Sequence, residues 1–120
     1  MSKLLVHLVT GPENPTRGAL AFLVARTATG AGHDVTIFLA GDAVGYLRDA
    51  TMDAAQGIGT GSIREHYTAL ADVGVPIYAS GMSSKARGLD AAGMGDKKVE
   101  LAPPDRLVEL ILEADQVVTY

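Results

Sequence analysis

Leu4-Leu5-Val6-His7-Leu8-Val9 forms a near-continuous apolar run, and Thr10-Gly11-Pro12-Glu13-Asn14-Pro15 stops it. A strand with one wet face alternates apolar and polar residues. An almost unbroken apolar run is expected instead of a central parallel strand covered on both faces. Pro12 and Pro15 bar the chain from continuing as sheet. Asn14 before Pro15 suits a helix N-cap followed by proline at the first helical position, which predicts a helix from about Pro15 to about Thr29.

Within that helix Leu20, Leu23, Val24, Thr27 and Ala28 share one stripe, and Ala19, Phe22 and Ala25 widen it beyond half the circumference, as for a helix covered on two sides. Gly30 and Gly32 end it, and His33-Asp34 turns the chain into a second buried strand, Val35 to Leu39. Ala40-Gly41-Asp42 then opens a short helix through Arg48. Gln56 to Gly61, with glycine at 57, 59 and 61, reads as a flexible linker. Ser62 and Glu65 stand in capping-box spacing at the start of a helix reaching about Val73.

Gly74 stops that helix, and Val75 to Ala79 is expected as a third strand, with Pro76 near its end where a missing donor is tolerated. Asp90 to Lys98, rich in glycine and charge, reads as a surface loop, and Val99 to Leu101 as a short strand. Pro103-Pro104-Asp105 introduces a last helix. Its Leu107, Leu110, Ile111 and Ala114 face one way, flanked by Val108 and Leu112, and Gln116 to Tyr120 returns as a terminal strand. Strand and helix alternate without an internal repeat or a hairpin signal. The fold class is therefore α/β, with right-handed crossovers and a mostly parallel sheet carrying helices on both faces.

The chain has 120 residues, enough for one layered core and too few for two, so it reads as a single domain. Hydrophobic residues make up 48% and charged ones 20%, a globular balance. A net charge of -4 argues against a nucleic-acid surface, which needs clustered Lys and Arg to displace counterions from phosphates. The opening Met1 to Thr10 is neither a signal peptide nor a membrane span, which makes a cytoplasmic setting the expectation. There is no cysteine, so disulfides, thiolate nucleophiles and cysteine metal sites are excluded. His7, His33 and His66 are too dispersed for metal-ligand spacing, and no metal is expected.

Every strand of a parallel sheet delivers its carboxyl end to one edge, where ligands bind. Three strands end alike there: Thr10-Gly11, Ala40-Gly41 and Ser80-Gly81, each leading into a helix. The candidate ligand-binding residues are Thr10, Gly11, Glu13, Asn14, Gly41, Asp42, Ser80, Gly81, Met82, Ser83, Ser84, Lys85 and Arg87. The third turn is the sharpest, with three serine hydroxyls followed by two cations. Cations at a helix start oppose its dipole. A bound anion explains them, and so does a carboxylate partner such as Glu13 or Asp42; a solvated face with a serine N-cap is the bland reading.

Ser80 and Ser83 lack the small-residue elbow of hydrolase nucleophiles. His7, in register with Leu5 and Val9, reads as a satisfied buried histidine and His33 as a surface residue. His66 is the best histidine for a ligand edge, though an exposed helix position explains it as well. The spacing of Gly57, Gly59 and Gly61 is no dinucleotide fingerprint, and no phosphate-binding lysine loop occurs. ATP, GTP, NAD and FAD are poor candidates, and no cofactor is expected.

Lys3 to Arg17, the Gly32-His33-Asp34-Val35 turn with Phe38-Leu39-Ala40-Gly41-Asp42, and Leu112-Glu113-Ala114-Asp115 before a last strand resemble the small DsrE/DsrF-like proteins, also called YchN-like. The resemblance spans nearly the whole chain. It implies a three-layer α/β/α sandwich around a five-stranded, mainly parallel sheet, and assembly into homotrimers or hexamers. It also implies a reactive cysteine near the end of the third strand in sulfur-handling relatives, ahead of a Lys-Ala-Arg-Gly tail like Lys85 to Gly88. Here serine stands at 80 and 83, and a serine hydroxyl cannot carry a persulfide. Two readings follow. One is a binding or accessory module with an anion-friendly pocket, beside sulfur-relay partners and with neither nucleic acid nor membrane. The other is a cofactor-independent enzyme of proton or group transfer using Lys85, His66 or Glu13.

Overall fold

A computed structural model describes all 120 residues. The apolar run is β1 (Lys3–Leu8), followed by α1 (Pro15–Gly30), β2 (Asp34–Leu39), a 3-10 segment (Gly41–Leu47) and α2 (Asp49–Ala54). A small hairpin, β3 (Gln56–Gly57) and β4 (Gly61–Ser62), precedes α3 (Ile63–Asp72), β5 (Ile77–Ser80) and α4 (Gly81–Ala86). A 3-10 turn (Ala92–Met94), β6 (Glu100–Ala102), α5 (Pro104–Glu113) and β7 (Gln116–Thr119) complete the chain.

The main sheet has the order β6-β5-β2-β1-β7, and all its pairings are parallel. From β1 the chain steps outward through β2 and β5 to β6, then crosses back over the sheet to β7. Right-handed crossovers in one direction put their helices on one face, and the reversed step puts α5 on the other. The two apolar clusters follow that division. Val6, Leu8, Ile37 and Leu39 pack with Ala21, Phe22 and Ala25 of α1 and Leu70 of α3. Their sheet neighbours Leu5 and Phe38 point the opposite way, to Ala102 and Leu110.

Both expected caps form. Asn14 Oδ1 accepts the Arg17 amide at 3.1 Å, and Ser62 Oγ accepts the Glu65 amide at 3.3 Å. In α1 the buried stripe is Ala19, Phe22 and Ala25, while Leu20, Leu23 and Val24 are only half-buried. Small side chains draw the helix close to the sheet, so the bulkier stripe lies at the side rather than the bottom.

Several expectations need correction. Gln56 to Gly61 is not a linker, and a hairpin is present. A Cβ on Gly57 would lie 2.8 Å from Ala19 Cβ, so only glycine lets the hairpin lie flat on α1. The third strand begins at Ile77, after Pro76, and the short strand near Val99 is displaced to Glu100–Ala102. The Asp49–Ala54 helix was not anticipated. Nor is the segment 90–98 wholly a surface loop, since Met94 and Lys97 are buried. No helix is long and apolar enough to cross a membrane.

Candidate functional site

At the carboxyl edge the ends of β1 and β2 close on each other. Gly11 O accepts the Asn14 amide at 3.0 Å and the Tyr46 hydroxyl at 2.7 Å, and a Cβ on Gly11 would fall 2.9 Å from that of Asp42. Thr10 bonds through its amide to Tyr120 O at 3.4 Å. Glu13 acts on this corner at longer range: burial first, and the Glu13 charge second, push the Tyr46 phenol up to about 12. Thr10, Gly11 and Asn14 thus shape the β1–α1 turn, and Asp42 lies against Gly11 where the first two strands end.

The end of β5 is tied to the end of β2. Gly41 N donates to Ser83 Oγ at 2.8 Å, and Ser83 N donates to Ser80 Oγ at 3.1 Å. Gly41 has φ +56, a left-handed conformation glycine adopts without strain, and this turns its amide toward α4. Arg87 donates to Asp42 Oδ1 at 2.8 Å and to Ser83 O at 3.1 Å, so of the carboxylates considered from the sequence it is Asp42 that receives a cation. Arg48, not singled out beforehand, donates to Arg87 O at 2.9 Å; nothing in its sequence neighbourhood signals that reach.

Lys85 is exposed and forms no ion pair within the chain. It borders a hollow of about 400 Å³ together with Gly81, Ser84, Leu89, Asp90 and Leu101. Ser84 is buried and its hydroxyl has no hydrogen-bond partner, whereas Met82 is exposed beside it. The site residues therefore divide between a closed bracket (Gly41, Asp42, Ser80, Ser83, Arg87) and an open hollow (Gly81, Ser84, Lys85). A larger hollow, about 610 Å³, lies at the opposite edge among Arg64, Tyr67, Thr68, Asp72, Asp96 and Lys98. Its rim sets carboxylates and cations side by side without a convergent set of one sign.

His66 and His7 are placed differently from expectation. His66 is buried rather than at an exposed helix position: its Nε2–H donates to Thr60 O at 2.7 Å and its Nδ1 accepts from Arg26, 3.4 Å away. A carbonyl only accepts and a guanidinium only donates, which sets the tautomer. His66 thus clamps the hairpin to α3, and it shares no hydrogen bond with Lys85 or Glu13. His66→Ala is expected to cost roughly 1 kcal/mol and to speed amide exchange across the hairpin by several-fold, readable by hydrogen-exchange NMR. His7 is half-buried, packs edge-on to Phe38 and leaves Nε2 without a partner, so it is not satisfied; burial lowers its pKa. His33 is exposed, as expected, and its Nδ1 accepts the Ser2 amide.

A sequence profile described as the DsrE/DsrF-like family matches residues 3–120. The chain belongs to the DsrE/DsrF-like family. Solved structures share its architecture. The YchN protein of E. coli is 21% identical, with all of both chains covered and a TM-score of 0.75. A conserved protein of unknown function from Bacteroides thetaiotaomicron, BT1422, is 15% identical, with 99% of this chain and 95% of that one covered and a TM-score of 0.74. MTH1491 of Methanobacterium thermoautotrophicum, also of unknown function, is 14% identical over all of both chains, with a TM-score of 0.69. No curated protein matches the sequence. In this DsrE/DsrF-like chain the five-stranded sandwich is present without any cysteine.

Proposed function

We propose that this DsrE/DsrF-like chain is a binding or accessory module that takes a small anion beside Lys85 and works as an assembly of its own copies alongside sulfur-relay proteins. The observation that carries the reading is the hydrogen bond from Gly41 N to Ser83 Oγ. A hydroxyl that a sulfur-handling relative would replace with a thiol here brackets two strand ends, and neither Ser80 nor Ser83 donates to a base. Without an adjacent base a serine is a weak nucleophile.

The unpaired ammonium of Lys85 beside a hollow supplies charge without chemistry. Self-association is supported by α5, whose Val108 and Leu112 stand in solvent at 53% and 80% exposure, with Val117 of β7 nearby in sequence. On α5 only Leu110 is buried, so this apolar stripe is surface that a second copy would cover. The enzymatic alternative draws no support from the placement of Lys85, His66 and Glu13.

Titration with inorganic sulfate, followed by amide shifts in an NMR spectrum, tests the anion site. Saturable shifts over residues 81–91 that disappear in Lys85→Ala are expected. Absence of saturation, or shifts indifferent to Lys85→Ala, defeats the proposal.

A further inference from the structure

The hollow of about 610 Å³ lies where β5 begins, at the end of that strand away from Ser80 and Lys85. Helix α3 lines it with Arg64, Tyr67, Thr68, Ala71 and Asp72, the i, i+3, i+4, i+7, i+8 spacing of one helix face. Asp96 and Lys98 from the segment before β6, with Val75 to Ile77, complete it. A volume of this size suits a small molecule.

The charges around the hollow are not equally open. Arg64 is committed to Asp49 at 3.0 Å and Asp53 at 2.7 Å. Asp72, Asp96 and Lys98 are exposed and enter no ion pair within the chain. Asp72 is moreover the last residue of α3, whose final turn holds no basic residue. There the negative end of the helix dipole disfavours a carboxylate, and a bound cation relieves it. Asp96 acts at the level of Tyr67: burial first, and the Asp96 charge second, push that phenol up. From Tyr67 to Asp72 the helix rises roughly 7.5 Å, past the buried Tyr67 ring and Ala71.

We propose that this hollow binds a free basic α-amino acid of the lysine class, its two ammonium groups meeting Asp72 and Asp96 and its carboxylate meeting Lys98. Two open carboxylates and one open ammonium are complemented by a molecule with two cations and one anion. The methylenes between the two ammonium groups bridge the rise along α3 and lie on Tyr67 and Ala71. A simple anion would be repelled by both carboxylates, and a diamine would leave Lys98 without a counter-charge. The site is at the other end of β5 from the anion site and does not depend on it.

Titration of the isotope-labelled chain with L-lysine, followed by amide shifts in NMR spectra, is the test. Saturable shifts over residues 64–77 and 96–98 are expected. L-norleucine lacks the second ammonium and cadaverine lacks the carboxylate, so each is expected to bind about tenfold more weakly. Asp72→Asn and Asp96→Asn should each weaken L-lysine by a similar factor, and Lys98→Ala should remove its advantage over cadaverine. All three side chains are exposed and unpaired, so thermal midpoints are expected not to fall. Absence of saturation with L-lysine, equal binding of the three probes, or indifference to the three substitutions overturns the inference. Lys85→Ala should leave the L-lysine shifts intact, so failure of the anion site reads out separately.

Discussion

Tyr46→Ala is expected to lower the unfolding free energy by about 4 kcal/mol, the largest effect of any single substitution considered for this chain. Tyr46 has no solvent exposure. Its ring occupies the space a side chain at Gly18 would need, with Cζ 2.8 Å from an ideal Cβ there, and its hydroxyl donates to Gly11 O. Truncation therefore opens a cavity between α1 and the 3-10 segment and releases the turn after β1 as well. Tyr46→Phe keeps the ring and should lose only about 1 kcal/mol; urea titration of both variants measures the difference.

The same phenol gives an alkaline signature. Its folded pKa is raised from 10.0 to about 12, so its contribution is fully present below pH 10 and is lost as pH rises toward 12. Tyr46→Phe should remove that part of the alkaline decline.

Asp49→Asn should release the segment between α4 and β6. The side chain of Lys97 is fully buried and its ammonium is held by the Asp49 carboxylate, with Met94 O accepting a further bond at 3.2 Å. Asp49 also accepts from Arg64 at 3.0 Å, while Arg64 reaches Asp53 at 2.7 Å. Removing the carboxylate charge strands a buried cation, whereas Lys97→Met removes the buried charge itself and leaves the half-exposed Asp49 carboxylate paired with Arg64. The expected order of loss is therefore Asp49→Asn well above Lys97→Met, seen in thermal midpoints and in amide exchange of residues 94–97.

Lys97 and then Arg64 hold the Asp49 carboxyl below its usual 3.8. Its contribution is accordingly present above that value and lost as pH falls through the lowered pKa. Asp49→Asn should flatten the acid limb of the stability profile.

These two side chains show where the sequence stopped being legible. Tyr46 and Lys97 carry no local pattern that announces their partners, because the partners lie 35 and 48 residues away. Gly57, Gly59 and Gly61 looked like flexibility because glycine permits it. The flat contact of Gly57 with α1 shows the opposite use, in which the absence of a side chain lets two elements touch. The candidate site suffered the same limit. Three strand ends carry similar glycines, and only the third was singled out from its serines and cations; Asp42 packs onto Gly11 and closes one pair, while Ser83 brackets another and the side next to Lys85 stays open.

What the sequence determined by itself was the alternation of strand and helix, the caps at Asn14 and Ser62, the parallel character of the sheet and the absence of thiol chemistry. Each of these depends on residues within a turn or two of one another, or on composition alone, so local periodicity and capping chemistry suffice to specify them. Only the tertiary structure decided the strand order, the hairpin, the buried Lys97, the internal bonds of His66 and the exposed Ile58. Those are set by which distant surfaces meet, and the free energy of such contacts belongs to the packed pair rather than to either segment.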